Sequence, residues 1–216
     1  MEVQGHFITF EGGEGAGKTT VIELVKERLT SIGHSVLVTR EPGGIQIAEK
    51  IRQVILDPAH TEMEERTEAL LYAAARRQHL IQKVIPALKQ NQIVLCDRFI
   101  DSSLAYQGYA RGIGMEEVYN INQFAIAGCM PALTLFFDIA PEKGLQRIHN
   151  NEAREKNRLD LETLSFHEKV YEGYQMLLEQ YPKRIQQVNA DQSLEEVLEE
   201  TCNYIISYLN KGGGLR

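Results

Sequence analysis

Short apolar runs alternate with longer stretches of helical periodicity along the whole chain. Five runs, Phe7–Phe10, Val36–Thr39, Ile93–Cys96, Leu133–Asp138 and Ile185–Val188, are apolar at successive positions more than at alternate ones. That is the pattern of strands covered on both faces. The last run is the weakest, because Gln186 and Gln187 interrupt it. Between the runs, apolar spacing predicts helices over 17–32, 45–56, 65–90, 115–127, 165–180 and 193–210. Strands alternating with helices predict an α/β fold, a mostly parallel five-stranded sheet flanked by helices.

One segment breaks the alternation. Residues 149–162 are almost entirely polar and carry Arg154, Lys156 and Arg158 among four acids. A solvated helix face and a mobile lid over a bound anion both fit such a stretch. No internal repeat or Pro-rich linker divides the chain, and 216 residues suit a single domain over 1–216. The tail, Lys211-Gly-Gly-Gly-Leu-Arg216, is expected to fray.

Composition narrows the function classes. At 43% hydrophobic and 25% charged residues the chain has ordinary globular proportions, which excludes a disordered chain or a fibre. No apolar run approaches membrane-spanning length, and the first residues lack a basic segment followed by an apolar one. Neither a membrane anchor nor a signal peptide is expected. A net charge of −7 disfavours a general nucleic-acid-binding surface. Cys96, Cys129 and Cys202 are odd in number and scattered, as reduced thiols of a cytoplasmic protein are.

The sharpest chemical signal is Gly12-Gly13-Glu14-Gly15-Ala16-Gly17-Lys18-Thr19, a full G-x-x-x-x-G-K-[ST] match continued by Thr20. It follows the apolar run ending at Phe10 and opens a helix pattern, the setting a P-loop requires. Glycines let backbone N–H groups turn in around phosphate oxygens, and the helix N-terminus adds its positive end. Lys18 is expected at the β- and γ-phosphates and the Thr19 hydroxyl on Mg²⁺. The run Ile93–Cys96 ends in Asp97, placed to hold or orient that Mg²⁺. Arg98 follows, where a guanidinium can grip a phosphoryl group with two hydrogen bonds.

Among P-loop proteins, a GTPase needs Asn-Lys-x-Asp, yet the only Asn-Lys pair is Asn210-Lys211 at the tail. A Leu-Ser-Gly-Gly-Gln transporter signature is also missing. Small kinases remain. Four strings then resemble the thymidylate kinase family: Phe10-Glu-Gly-Gly-Glu-Gly-Ala-Gly-Lys-Thr-Thr20, Thr39-Arg-Glu-Pro-Gly-Gly44, Asp97-Arg-Phe99 and Ser102-Ser-Leu-Ala-Tyr-Gln-Gly108. The resemblance runs from the first strand to the last helix and implies a P-loop NTPase-type sheet with a lid over about 147–162.

It also implies an activity, the phosphorylation of dTMP to dTDP by ATP with Mg²⁺, supplying dTTP for DNA synthesis, and a homodimer. Within the site it implies Glu14 near the acceptor's 3′-hydroxyl and the metal, and Arg98 on the acceptor phosphate. Glu41, Pro42, Tyr72, Arg76, Ser103, Tyr106 and Gln107 are then acceptor-site residues. Tyr72 stands where the family most often has Phe stacked on thymine. Arg76 lies one turn further on the same face, able to donate to a base carbonyl. Ser103 and Gln107 meet the base edge, and Tyr106 crowds the 2′ position. Two departures stand out: the extra Tyr72 hydroxyl, and Ala132 where the family usually shows Asp.

Phosphoryl transfer requires positioning and charge neutralisation above all. The acceptor is a phosphate oxygen already ionised at neutral pH, so no strong general base is expected. Where some relatives carry a P-loop arginine, this chain has Gly15, so the missing cation is expected from the lid. Arg154 is the expected catalytic group and Arg158 an ATP contact, although Arg158 adjoins Asp160 and can be held in an ion pair instead. A kinase of another nucleoside monophosphate or small metabolite is the alternative on the same scaffold. A non-catalytic nucleotide-binding module conflicts with intact Lys18, Thr19 and Asp97.

Overall fold

The computed structural model describes residues 5–150 and 158–211. Five parallel strands form one sheet: β1 (His6–Glu11), β2 (Val36–Arg40), β3 (Ile93–Asp97), β4 (Leu133–Asp138) and β5 (Ile185–Asn189), in the order β2-β3-β1-β4-β5. All five strands expected from the apolar runs are present, including the Gln-interrupted one. The long helices are α1 (Lys18–Ser31), α2 (Gln46–Leu56), α3 (Glu65–His79), α6 (Met115–Ile126), α7 (Pro141–His149), α8 (Leu164–Gln180) and α9 (Leu194–Asn210).

The pleat divides the strands' side chains between two cores. Phe7, Val94, Cys96 and Phe136 face one side, against Phe99, Leu104, Val170 and Tyr174. Ile8, Phe10, Leu95, Leu135 and Phe137 face the other, against Val21, Ile22, Val25 and Leu29 of α1 and Ile205 of α9. Burial of both faces explains why the strands are apolar at successive positions.

Two segments differ from the expected pattern. The helix expected over 65–90 is broken after α3 by a π-helical turn, Leu80–Val84, before the short α4 (Ile85–Lys89). Residues 100–110, read only as a motif, are helical: α5 (Ile100–Ser103) runs into a π-helical stretch, Leu104–Ala110. This stretch packs on α8, where Gly173 lets the Ala105 backbone come close.

The strand order reverses direction at β1, which lies between β3 and β4. Loops leaving the carboxyl ends of β1 and β3 diverge there, and ligands of open α/β sheets bind at such a point. The register pairs Phe10 with Asp97 and Arg40 with Asp97, so the motif residues that follow these strands share one edge.

Candidate active site

A cleft of about 820 Å³ opens at that edge. It is lined on one side by the 14–20 segment and on the other by Pro42, Tyr72, Arg76, Ser103, Tyr106 and Gln107, with Asp97 and Arg98 between them.

The loop after β1 wraps around its own lysine. Lys18 Nζ donates to the carbonyls of Gly12 at 3.0 Å and Gly13 at 2.9 Å. Gly12, Gly15 and Gly17 take positive φ angles of 136°, 72° and 85°, which residues with a Cβ rarely adopt. Burial pushes the Lys18 ammonium down from 10.5 to about 8; Arg98 adds to the effect, and Asp97, Glu14 and Glu11 oppose it. An anionic ligand would reverse this shift. One helical step on, Thr19 Oγ1 donates to Asp97 Oδ2 at 2.8 Å. Two hard oxygen donors side by side fit Mg²⁺, which takes one or two protein oxygens and completes its shell with phosphates and water.

Arg98 forms the seam of the cleft. Its backbone sits at φ 66°, a left-handed conformation uncommon away from glycine. Its N–H is held by the Phe10 carbonyl at 2.9 Å. Such strain at a cleft residue is kept where the surroundings over-determine it. The guanidinium donates to Glu14 Oε1 at 2.5 Å and to the Gly12 carbonyl at 2.9 Å, and it lies 5.1 Å over the Tyr106 ring. Ser102 and the Tyr174 hydroxyl complete its shell at 3.2 and 3.3 Å. Beneath it, fully buried Glu11 accepts from Phe99 N, Ser102 Oγ and Tyr174 OH, a support that the sequence reading missed. Burial raises the Glu11 carboxyl, with Asp101 adding to it, while the Ser102 hydroxyl and then Arg98 and Tyr174 act against it.

The residues expected on the acceptor side stand on a buried polar chain. Glu41 Oε2 accepts from Arg76 Nε at 2.7 Å, and Glu41 Oε1 from His79 Nδ1 at 2.9 Å; His79 Nε2 pairs with Thr39 Oγ1 at 2.7 Å. Arg76 also donates to Ser103 Oγ at 3.0 Å, to Asn122 Oδ1 and to the Phe99 carbonyl at 2.9 Å. Four of its five N–H groups are thus used among the described residues, leaving one Nη2 hydrogen, and Arg76 lines the cleft. Each Glu41 oxygen thus accepts one hydrogen bond from within the protein. Pro42, joined to Glu41 by a cis bond, offers its carbonyl to Arg52 at 3.1 Å. Tyr72 is buried at the cleft wall, and burial raises its hydroxyl above the ordinary value. Among the described residues no hydrogen bond holds that hydroxyl. Spacing alone left Gln107 without a partner; its Nε2 donates to buried Glu68 at 2.7 Å.

Arg158 is placed against α2 and α3, not on the phosphate loop. Its guanidinium pairs with Glu68, and its Nε donates to the Ile55 carbonyl at 2.9 Å. Arg158, expected as an ATP contact with an ion pair as the alternative, is held here by a carboxylate the sequence did not point to, Glu68. Arg154 lies outside the described residues, as does Lys156. Arg147 and Ile148 of α7 line the cleft too. Their signal was position: they directly precede the polar stretch.

A family profile described as Thymidylate kinase matches residues 10–201. The thymidylate kinase of Oceanobacillus iheyensis is 65% identical over 97% of this chain and 94% of its own. That of Bacillus licheniformis is 62% identical over 94% and 96%. The crystal structure of thymidylate kinase from Ehrlichia chaffeensis superposes with a TM-score of 0.76 at 30% identity, covering 93% of this chain and 98% of that one.

Proposed function

The chain belongs to the thymidylate kinase family, and from that premise we propose how its cleft transfers phosphate from ATP to dTMP. The enzyme makes dTDP on the way to dTTP for DNA synthesis. The observation that carries the site reading is the position of Arg98 between a phosphate loop and an aromatic–amide–arginine wall.

In this reading the donor phosphates lie in the loop, against the N–H groups of 12–20 and the N-terminus of α1. Lys18 leaves the carbonyls of Gly12 and Gly13 for the phosphoryl oxygens. Thr19 and Asp97 would hold Mg²⁺, which would supply charge neutralisation at the donor phosphates. Arg98 turns from Glu14 to the acceptor phosphate and holds it in line with the donor. Tyr72 stacks on the base, the remaining Nη2 hydrogen of Arg76 meets a base carbonyl, and Ser103 and Gln107 meet its edge. Tyr106, 3% exposed and packed against Phe166 and Tyr174, has no room to yield to a 2′-hydroxyl. The acceptor oxygen attacks without a base, because it carries its charge already.

The chain acts as a single domain whose lid, about 147–162, closes over ATP and excludes water. Within it Arg154 supplies the second cation, and its replacement by Ala lowers kcat with little change in ATP affinity. Arg147, on the donor flank, borders the nucleotide. No helix among the described residues is long and apolar enough to cross a membrane. The enzyme works as a homodimer. On α6, Val118 and Ala125 are buried within the chain, while Phe124 is 90% exposed and Leu70 of the neighbouring α3 is 55% exposed. Sedimentation showing only monomer at micromolar concentration would reject the dimer. The acceptor reading is tested by coupled ADP release across dTMP, dUMP, dCMP, AMP and GMP. Turnover is expected with dTMP and weakly with dUMP; preference for any other acceptor overturns it.

A further inference from the structure

Glu68, in the first turn of α3, is 1% exposed and ties four parts of the chain together. Its Oε1 accepts from Gln107 Nε2 at 2.7 Å. Its Oε2 faces two guanidinium groups, that of Arg158 and that of Arg111 at 3.4 Å. Arg111 is itself fixed, paired with Glu162 at 2.6 Å and lying 4.4 Å over the Phe166 ring. Arg158 is anchored on Ile55 of α2.

A carboxylate between two guanidinium groups has no hydrogen to give. The end of the Gln107 carboxamide that faces it is therefore the NH₂, and the carbonyl is turned away. Atom positions alone do not distinguish the two ends of an amide, but an acceptor-only neighbour does. Gln107 lines the cleft beside Tyr72 and Ser103, and among the described residues no donor reaches its Oε1.

We propose that Glu68 is a positioning residue for base selection: by holding the Gln107 amide hydrogens, it presents the Gln107 carbonyl as a fixed acceptor for a pyrimidine N3–H. Thymine and uracil carry that hydrogen. Cytosine presents a lone pair at N3 and is repelled. The inference rests on the reading of Gln107 as a base-edge residue. Since the same carboxylate anchors Arg158, the base-reading amide and the segment at Arg158 share one support.

Glu68→Gln makes the test sharp. The two arginines still demand an oxygen, so the new amide turns its oxygen to them and its NH₂ to Gln107. Gln107 then flips and presents NH₂ to the base. The experiment measures KM for dTMP, KM for ATP and the inhibition constant of dCMP competing with dTMP. In Glu68→Gln the dCMP-to-dTMP ratio is expected to fall by about tenfold or more, with KM for ATP changed less than about twofold. A merely structural loss would weaken both pyrimidines together and leave the ratio alone.

Gln107→Leu separates the two ideas. If it leaves dTMP binding unchanged, the base-edge reading of Gln107 fails. If it weakens dTMP while Glu68→Gln leaves the ratio unchanged, Glu68 alone is misassigned. Hydrogen exchange of the Gln107 side-chain NH₂, followed by NMR in the wild-type protein, gives an answer that does not depend on any variant folding. Protection is expected already without nucleotide. Protection appearing only when dTMP is added would overturn the proposal.

Discussion

Arg98 donates to Glu14 at 2.5 Å, so the phosphate loop and the strand end that faces it are joined by a pair of opposite charges across the cleft. Both side chains are largely but not wholly shielded, at 17% and 13% exposure. In the proposed mechanism Glu14 holds the guanidinium that the acceptor phosphate takes, and the greater charge of the phosphate displaces it.

Arg98→Lys keeps the charge and loses the fork of parallel donors. It is expected to lower kcat by about 10²-fold, with KM for ATP little changed, since a misplacement of the acceptor phosphate by about 1 Å costs that much. Steady-state kinetics with dTMP varied at saturating ATP checks it. Turnover within threefold of wild type would remove Arg98 from the reaction.

The lowered Lys18 predicts a pH effect on ATP binding. The free protein releases this proton from about pH 8, whereas a lysine beside phosphate holds it to 10.5 or above. ATP binding therefore takes up a proton between those values, and affinity falls by up to about tenfold per pH unit as pH rises through 8. Folding carries the opposite sign. The unfolded chain binds more protons in that window, so the Lys18 contribution to the stability of the nucleotide-free protein rises with pH there. Titration calorimetry in buffers of different ionisation enthalpy measures the uptake, with Lys18→Met as the control that abolishes it.

Tyr72→Ala is expected to raise KM for dTMP by about 10–100-fold, because it removes a buried ring that stacks on the base. KM for ATP should move far less. Tyr72→Phe should change neither by more than about threefold, since among the described residues no group is bonded to the hydroxyl and one unmade bond costs little. Equal shifts in both constants for the Ala variant would contradict stacking.

Gly144 of α7 approaches the phosphate loop so closely that a Cβ there would collide with the Glu14 carbonyl, and one on Gly15 would collide with the Gly144 backbone. Gly144→Ala must push the loop and helix apart. It is expected to destabilise the fold by about 1–3 kcal/mol, and to raise KM for ATP more than KM for dTMP. Thermal unfolding and kinetics together check this; an unperturbed Tm with unperturbed ATP kinetics would show that loop and helix are free to separate.

Much of this protein was determined by local pattern. The five strands are short apolar runs because each is buried on two faces, and the phosphate loop is legible because its glycines, lysine and threonine are consecutive. Even Tyr72 and Arg76 share a helix face by spacing alone. Tertiary structure decided how distant groups are satisfied. Gln107 meets Glu68 across 39 residues of chain, Arg158 meets it across 90, and Tyr174 reaches Glu11 across 163. The helical path of residues 100–110 is set by packing against α8, which no local propensity encodes. Periodicity shows which side chains turn inward, but a buried carboxylate pairs with whichever donors the fold brings to it. The orientation of one amide, and with it the proposed choice of base, depends on that pairing.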